Sequence, residues 1–280
     1  MIENILFAVM WFAILGAVMG LLLAIASKVF FVKTEEKVAE ISELLPGANC
    51  GGCGYAGCSA LAEAIANGEA KTSACVAGDE ELAAKLAAIM GVPAEKPIRL
   101  RAQVMCSGTA EYAKKKYIYK GAKDCFAASK MSGGDKLCPN GCTGLGTCVN
   151  ACKFDAICVV NGVAVVDYEK CQACGRCVEA CPKRIIRLIP YESKHWVGCM
   201  SVDKGAVTRT YCEVGCISCH LCEKACGHDA IHVNGGVAAI DYEKCVECGD
   251  CVAKCPRKII WSDRTQRVGV VIKPEDIKDI

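Results

Sequence analysis

Residues 171–182 read CQACGRCVEACP: Cys171, Cys174 and Cys177 stand three residues apart, and Cys181 follows four residues later, directly before Pro182. Three thiolates on one short loop can hold three corners of a [4Fe–4S] cube, while a fourth cysteine placed before proline ligates a second cube. One such run therefore implies two cubes. The same spacing returns in residues 245–256, CVECGDCVAKCP, with Cys245, Cys248, Cys251 and Cys255. Zinc is the plain alternative, but zinc sites separate two C-x2-C pairs rather than crowd three cysteines into so short a loop.

The two runs belong to a gapless repeat with an offset of 74 residues, from Cys171 to Cys245. Cys142, Cys148 and Cys152 map onto Cys216, Cys222 and Cys226, and Asp167-Tyr168-Glu169-Lys170 returns as Asp241-Tyr242-Glu243-Lys244. Between the cysteine groups, residues 159–166 (VVNGVAVV) carry a hairpin signal with Asn161-Gly162 at the turn. Each copy thus resembles a bacterial two-cluster ferredoxin.

The copies differ where the second has Cys219 and the first has Leu145. Cys138, four residues before Cys142, is the nearest replacement, and its own counterpart is Cys212. The expected ligand sets are then Cys138, Cys142, Cys148 and Cys181; Cys152, Cys171, Cys174 and Cys177; Cys216, Cys219, Cys222 and Cys255; and Cys226, Cys245, Cys248 and Cys251. Lys153 and Gly227 stand where the ferredoxin pattern has proline, which leaves the ligands before them in place.

Upstream, PGANCGGCGYAGC presents Cys50, Cys53 and Cys58 in a glycine-rich loop, and Cys75 follows a helix expected over residues 59–67. A further helix is expected over residues 79–90, and an amphipathic one over residues 34–45 with Thr34 as cap and Glu35 and Glu36 in its first turn. Five cubes use twenty cysteines and leave Cys106, Cys125, Cys158, Cys199 and Cys212. Cys158 maps onto His232 and reads as a buried thiol. Cys106, Cys125, Cys199 and Cys212 make the number that a sixth cube needs, against the plain reading of four small buried hydrophobes.

The chain has 25 cysteines among its 280 residues, an odd number, and no N-x-Ser/Thr acceptor, so a reducing compartment is expected. The formal charge of +2 counts every thiol as neutral. Each cube with its four thiolates brings about −2, so five would make the loaded protein roughly −8.

Residues 5–26 carry no charged side chain, which suits a membrane-spanning helix better than a signal peptide, since Glu3 precedes the run and no basic residue does. Lys28, Lys33 and Lys37 follow it, placing the bulk of the chain on the cytoplasmic side of a single-pass membrane protein. Gly16 and Gly20, extended by Ala13, Ala17 and Ala24, offer a smooth face to helices of other membrane subunits. Residues 93–136 read as a basic linker with Lys96, Arg99, Arg101, Lys114, Lys115, Lys116, Lys120, Lys123, Lys130 and Lys136. Such a strip is a solvated face or a dock for an acidic redox protein, and nucleic acid is not expected.

The whole is an α+β chain. It comprises an anchor (1–27), a small helical Fe–S domain (33–92), the basic linker (93–136), ferredoxin domain 1 (137–190), a linker (191–211), ferredoxin domain 2 (212–265) and a tail (266–280). No G-x-G-x-x-G follows a strand, so no flavin or nicotinamide site is expected, and His195, His220, His228 and His232 read as structural. The cysteines bind clusters and no residue does acid–base chemistry.

In this order, the apolar segment, the LPGANCGGCGYAGC loop with Cys75, the VMCSG and YIYKGAKDC stretches and the tandem modules with CEVGCISCHLC resemble the B subunit of the Rnf complex. The resemblance implies an ion-translocating ferredoxin:NAD+ oxidoreductase. In it this subunit takes electrons from soluble reduced ferredoxin and relays them toward the membrane subunits and NAD+ reduction, while Na+ or H+ moves outward. The competing readings are the iron–sulfur subunit of a hydrogenase or formate dehydrogenase and, from another class, a zinc-binding interaction protein.

Overall fold

The computed structural model describes residues 2–29, 36–95, 99–262, 266–267 and 270–271. Helix α1 (Ile2–Val29) leads the chain, and its described side chains, Phe7 and those of residues 10–23, are all exposed. Among the described residues no helix is long and apolar enough to cross a membrane, so the fold does not establish the span expected over residues 5–26. Lys33, Thr34, Glu35 and Lys96 lie outside the described residues, as do the side chains of Ala24 and Lys28.

Helices α2 (Glu36–Leu44), α3 (Cys58–Ala66) and α4 (Glu80–Met90) bury Ile41, Leu45, Leu61, Ile65 and Leu86 between them. Asp79 accepts the Leu82 N–H at 2.8 Å to start α4, and Gly91, at φ 68°, ends it in the left-handed conformation that glycine adopts without strain.

Strand β1 (Leu100–Val104) and helix α5 (Cys125–Lys130) precede the first module, which runs α6 (Thr147–Ala151), β2 (Ile157–Val160), β3 (Val163–Val166), α7 (Arg176–Glu179), β4 (Ile186–Pro190). Strand β5 (Trp196–Val197) and helix α8 (Gly205–Tyr211) then lead into α9 (Leu221–Ala225), β6 (Ile231–Asn234), β7 (Val237–Ile240), α10 (Asp250–Lys254) and β8 (Ile260–Trp261). A last short pair, β9 (Gln266–Arg267) and β10 (Val270–Val271), follows. β2 pairs with β3 and β6 with β7 as antiparallel hairpins. Asn161 and Gly162, at φ 47° and 76°, make the turn expected from the sequence, because both central residues of a tight hairpin turn need positive φ.

Two strands lie outside the expected module boundaries yet pair with strands inside them. β1 lies inside the segment read as a basic linker, yet it pairs antiparallel with β4, Val104 opposite Ile186, and so completes the first module. β5, inside the second expected linker, pairs with β8 in the equivalent way. Both strands are buried along most of their length and so lack the alternation that marks a half-buried strand.

Two of the basic residues of residues 93–136, Arg101 and Lys136, are buried. Arg101 is fully buried: its guanidinium donates to Gln103 Oε1 at 2.7 Å and Ser193 O at 2.9 Å and lies 3.9 Å from the Tyr168 ring centre. Tyr168 donates to the same Gln103 oxygen at 2.7 Å. Trp196 borders Arg101 and stacks on Trp261, which donates to Ser107, so the guanidinium joins the two modules. Lys136, also buried, donates to Gly108 O and Gly162 O at 2.7 and 2.8 Å.

Arg101→Ala should therefore destabilise the cluster-loaded protein by about 3 kcal/mol, since it strands buried acceptors and removes the cation from its aromatic face. Arg101→Lys should recover little, because an ammonium cannot serve both acceptors with one planar fork. Anaerobic urea unfolding checks this, and a loss below about 1 kcal/mol in the alanine variant would leave the guanidinium without a structural role.

Candidate metal centres

The thiols gather in groups of four. In the small domain, Asn49 Oδ1 accepts the Cys58 N–H at 2.8 Å and its amide donates to Gly47 O at 3.2 Å, folding the glycine-rich loop back on the start of α3. Cys53, Cys58 and Cys75 pack on that domain's core, with the Cys75 thiol facing the other two. Cys50 stands toward the first module, where its carbonyl accepts from Arg176 Nε at 3.2 Å and its thiol faces Cys174. The approach is close: a Cβ on Gly52 would lie 2.8 Å from the Cys174 Cα.

In the modules, Cys152, Cys171, Cys174 and Cys177 line one cleft; Cys216, Cys219, Cys222 and Cys255 a second; and Cys226, Cys245, Cys248 and Cys251 a third. These are the sets expected from the repeat. The remaining module cleft differs by one member: Cys125, not Cys138, joins Cys142, Cys148 and Cys181. Cys138 lines another cleft with Cys106, Cys199 and Cys212.

The exchange has a local cause. Asp124 caps α5 through the Phe126 N–H (2.9 Å) and accepts from Thr147 Oγ1 (2.9 Å), which in turn accepts the Cys125 N–H at 2.7 Å, so Cys125 is held against the start of α6 beside Cys148. Cys138, in contrast, begins a turn closed by the Gly141 N–H on its carbonyl at 3.3 Å, and it lines a different cleft from Cys142. Both cysteines have repeat counterparts, Cys199 and Cys212; sequence proximity to Cys142 pointed to Cys138, whereas the cleft that holds Cys142 is lined by Cys125.

Each cleft suits a cube by its donor set. Each module cleft is lined by four thiols, the donor number that a [4Fe–4S] cube takes. Backbone amides aim at the sulfurs: Ala102 N–H donates to Cys171, Ala156 to Cys152, Ala164 to Cys142 and Ala230 to Cys226, each at 3.4 Å. Such bonds help set the potential of a bound cluster. Burial pushes the Cys148 and Cys177 thiols up to about 12 and those of Cys142, Cys222 and Cys251 up to about 11. These groups stay protonated at neutral pH unless a metal supplies the compensating charge.

His195 and His228 line the cleft of Cys226, with His195 Nδ1 2.9 Å from Trp261 O. His220 and His232 both face Glu223, at 2.6 and 3.3 Å. Cys158 lies buried in β2.

Residues 45–77 match the family model "Putative Fe-S cluster", residues 164–187 the "4Fe-4S binding domain" and residues 215–259 the "4Fe-4S dicluster domain". The chain is 46% identical over 264 residues to the B subunit of the Na(+)-translocating ferredoxin:NAD(+) oxidoreductase complex of Acetobacterium woodii, covering 94% of this chain and 79% of the relative. It is 41% identical over 247 residues to the B subunit of the ion-translocating oxidoreductase complex of Methanosarcina acetivorans, covering 88% and 94%. Against the B subunit of the proton-translocating ferredoxin:NAD(+) oxidoreductase complex of Clostridium ljungdahlii the identity is 40% over 248 residues, 87% of each. With thiols grouped for iron–sulfur clusters and similarity across nearly its whole length, the chain belongs to the family of B subunits of ion-translocating oxidoreductase complexes.

Proposed function

We propose that the chain is the electron-relay subunit of an ion-translocating ferredoxin:NAD+ oxidoreductase complex, taking electrons from reduced ferredoxin and passing them toward membrane subunits and NAD+ reduction. Five [4Fe–4S] clusters form the relay. Their ligands are Cys50, Cys53, Cys58 and Cys75; Cys152, Cys171, Cys174 and Cys177; Cys125, Cys142, Cys148 and Cys181; Cys216, Cys219, Cys222 and Cys255; and Cys226, Cys245, Cys248 and Cys251. When bound, each cluster supplies one-electron chemistry. The chain's own part is to hold the thiolates and direct amides at their sulfurs.

The observation that carries this reading is the adjacency of the clefts. Cys50 O accepts from Arg176 Nε at 3.2 Å and Gly52 packs on Cys174 across the domain boundary, while Cys171 and Cys177 of that cleft share one buried core with Cys142 and Cys148 of the next. A storage or zinc protein has no need of sites in file.

Residues 1–27 serve as the membrane anchor, with the bulk of the chain on the cytoplasmic side. The support is the uncovered apolar surface of α1, where Phe12 is 75% exposed. A Cβ on Gly16 or Gly20 would meet nothing within 4 Å, leaving that face open to a helix of another subunit.

Cys125→Ala and Cys248→Ala should each remove or convert one cluster, costing up to about four iron atoms per chain, and should lower ferredoxin-driven NAD+ reduction in the assembled complex. Iron analysis with redox-titrated EPR checks both, and unchanged iron and turnover in the two variants would refute the relay.

Ferredoxin docking involves the exposed strip Lys114, Lys115 and Lys116, of which Lys115 pairs with Asp135 at 2.7 Å. Lys114→Glu combined with Lys116→Glu should slow association with ferredoxin most at low salt, where screening is weak. Stopped-flow rates across a salt series measure it, and a wild-type rate with a wild-type salt slope would make the strip a solvated face.

A further inference from the structure

A further cleft lies at the seam of the two modules, lined by Cys106, Cys138, Cys199 and Cys212, with Cys142 N–H of the first module donating to Cys106 Sγ and Cys216 N–H of the second to Cys199 Sγ. We infer that these four cysteines hold a sixth [4Fe–4S] cluster at the seam, bridging the two ferredoxin modules; the inference rests on the relay reading above.

The four thiols come from separate places: the end of β1, the turn before the first module's cysteines, the loop after β5 and the end of α8. Residues 112–115 sew these together. Lys114 N–H donates to Tyr211 O, and Leu137 N–H donates to Lys114 O, both at 2.8 Å, while Ala113 bridges to Cys212. The repeat counterparts Cys138 and Cys212 are thereby drawn to one cleft, which the fold of a single module could not do. Glycine keeps its wall thin: a Cβ on Gly108 would lie 3.6 Å from Cys212 Sγ and 3.7 Å from Cys106 Sγ.

The sulfurs are dressed as those of the other clefts are. Cys199 Sγ accepts from Cys216 N–H at 3.3 Å and Ser201 N–H at 3.4 Å, and Cys106 Sγ accepts from Cys142 N–H at 3.4 Å. Two of these donors are backbone amides of cysteines assigned to the flanking clefts, one in each module. The seam therefore touches both neighbours directly, and Lys136 adds a buried cation to its lining, which offsets the negative charge of a thiolate-bound cube. An electron passes across the seam from one flanking cluster to the other, one in and one out, with no bond made or broken and no proton moved.

The logic of the duplication agrees. Cys125 and Cys199 are counterparts. The first module spends Cys125 on the position where Leu145 replaces a ligand, whereas the second has Cys219 there and leaves Cys199 for the seam.

Full-length protein, purified without oxygen and reconstituted with iron and sulfide, should saturate at about 24 iron atoms per chain, against about 20 for five clusters. Cys106→Ala and Cys199→Ala, one on each side of the seam, should each lose up to about four iron atoms and one paramagnetic centre from the dithionite-reduced EPR spectrum. The wild-type iron count does not depend on either variant folding. Wild type saturating at about 20, with both variants unchanged and Cys248→Ala still losing iron, overturns the seam cluster and leaves the relay standing. A Cys248→Ala protein that keeps all its iron overturns the relay instead.

Discussion

A thiolate cannot sit in an apolar interior without a compensating charge, and this chain puts thiols into its interior throughout. In the first module Cys142, Cys148, Cys171 and Cys177 belong to the same core as Ile157, Val163, Ile185 and Ile186. In the second, Cys216, Cys222 and Cys251 lie among Val197, Ile231 and Ile260. Hairpins of four-residue strands and helices of four or five residues enclose too little apolar surface to stabilise modules of this size alone. Iron at the thiols supplies both the neutralising charge and the missing contacts, so binding free energy is folding free energy here.

Much of this was legible in the sequence because duplication prints the same signal twice. The cysteine spacing, the hairpin and the element order all recur, and three of the four groups of module cysteines that line one cleft are those that spacing alone puts together. What escaped was decided by closure over long separations. β1 bonds to β4 across a stretch that holds a whole cluster-binding run, and its LRAQV carries a buried arginine where a strand pattern would have an apolar residue. The difference between Cys125 and Cys138 has the same origin: the nearer cysteine in sequence lines another cleft, and the farther one is returned to the cleft of Cys142 by the Asp124 and Thr147 hydrogen bonds.

The basic segment shows how a charge run can mislead. Arg101 is sandwiched between aromatic rings and Lys136 donates to two buried carbonyls, so both are internal struts rather than surface charge. Their burial is tolerable because acceptors surround them and because the sulfur-rich sites nearby become negative once loaded. Cations and clusters thus balance each other inside the molecule, which the apo charge of +2 conceals.

The stitching of residues 112–115 to Tyr211 and Cys212 also fixes an order of events during synthesis. Every residue lining the first module's own clefts has been made once β4 is complete, whereas Cys106 and Cys138 still lack Cys199 and Cys212. They gain their neighbours only when α8 has emerged and folded back. The nascent chain therefore passes through a stage at which the Cys106 and Cys138 thiols await their cleft partners and are open to oxidation.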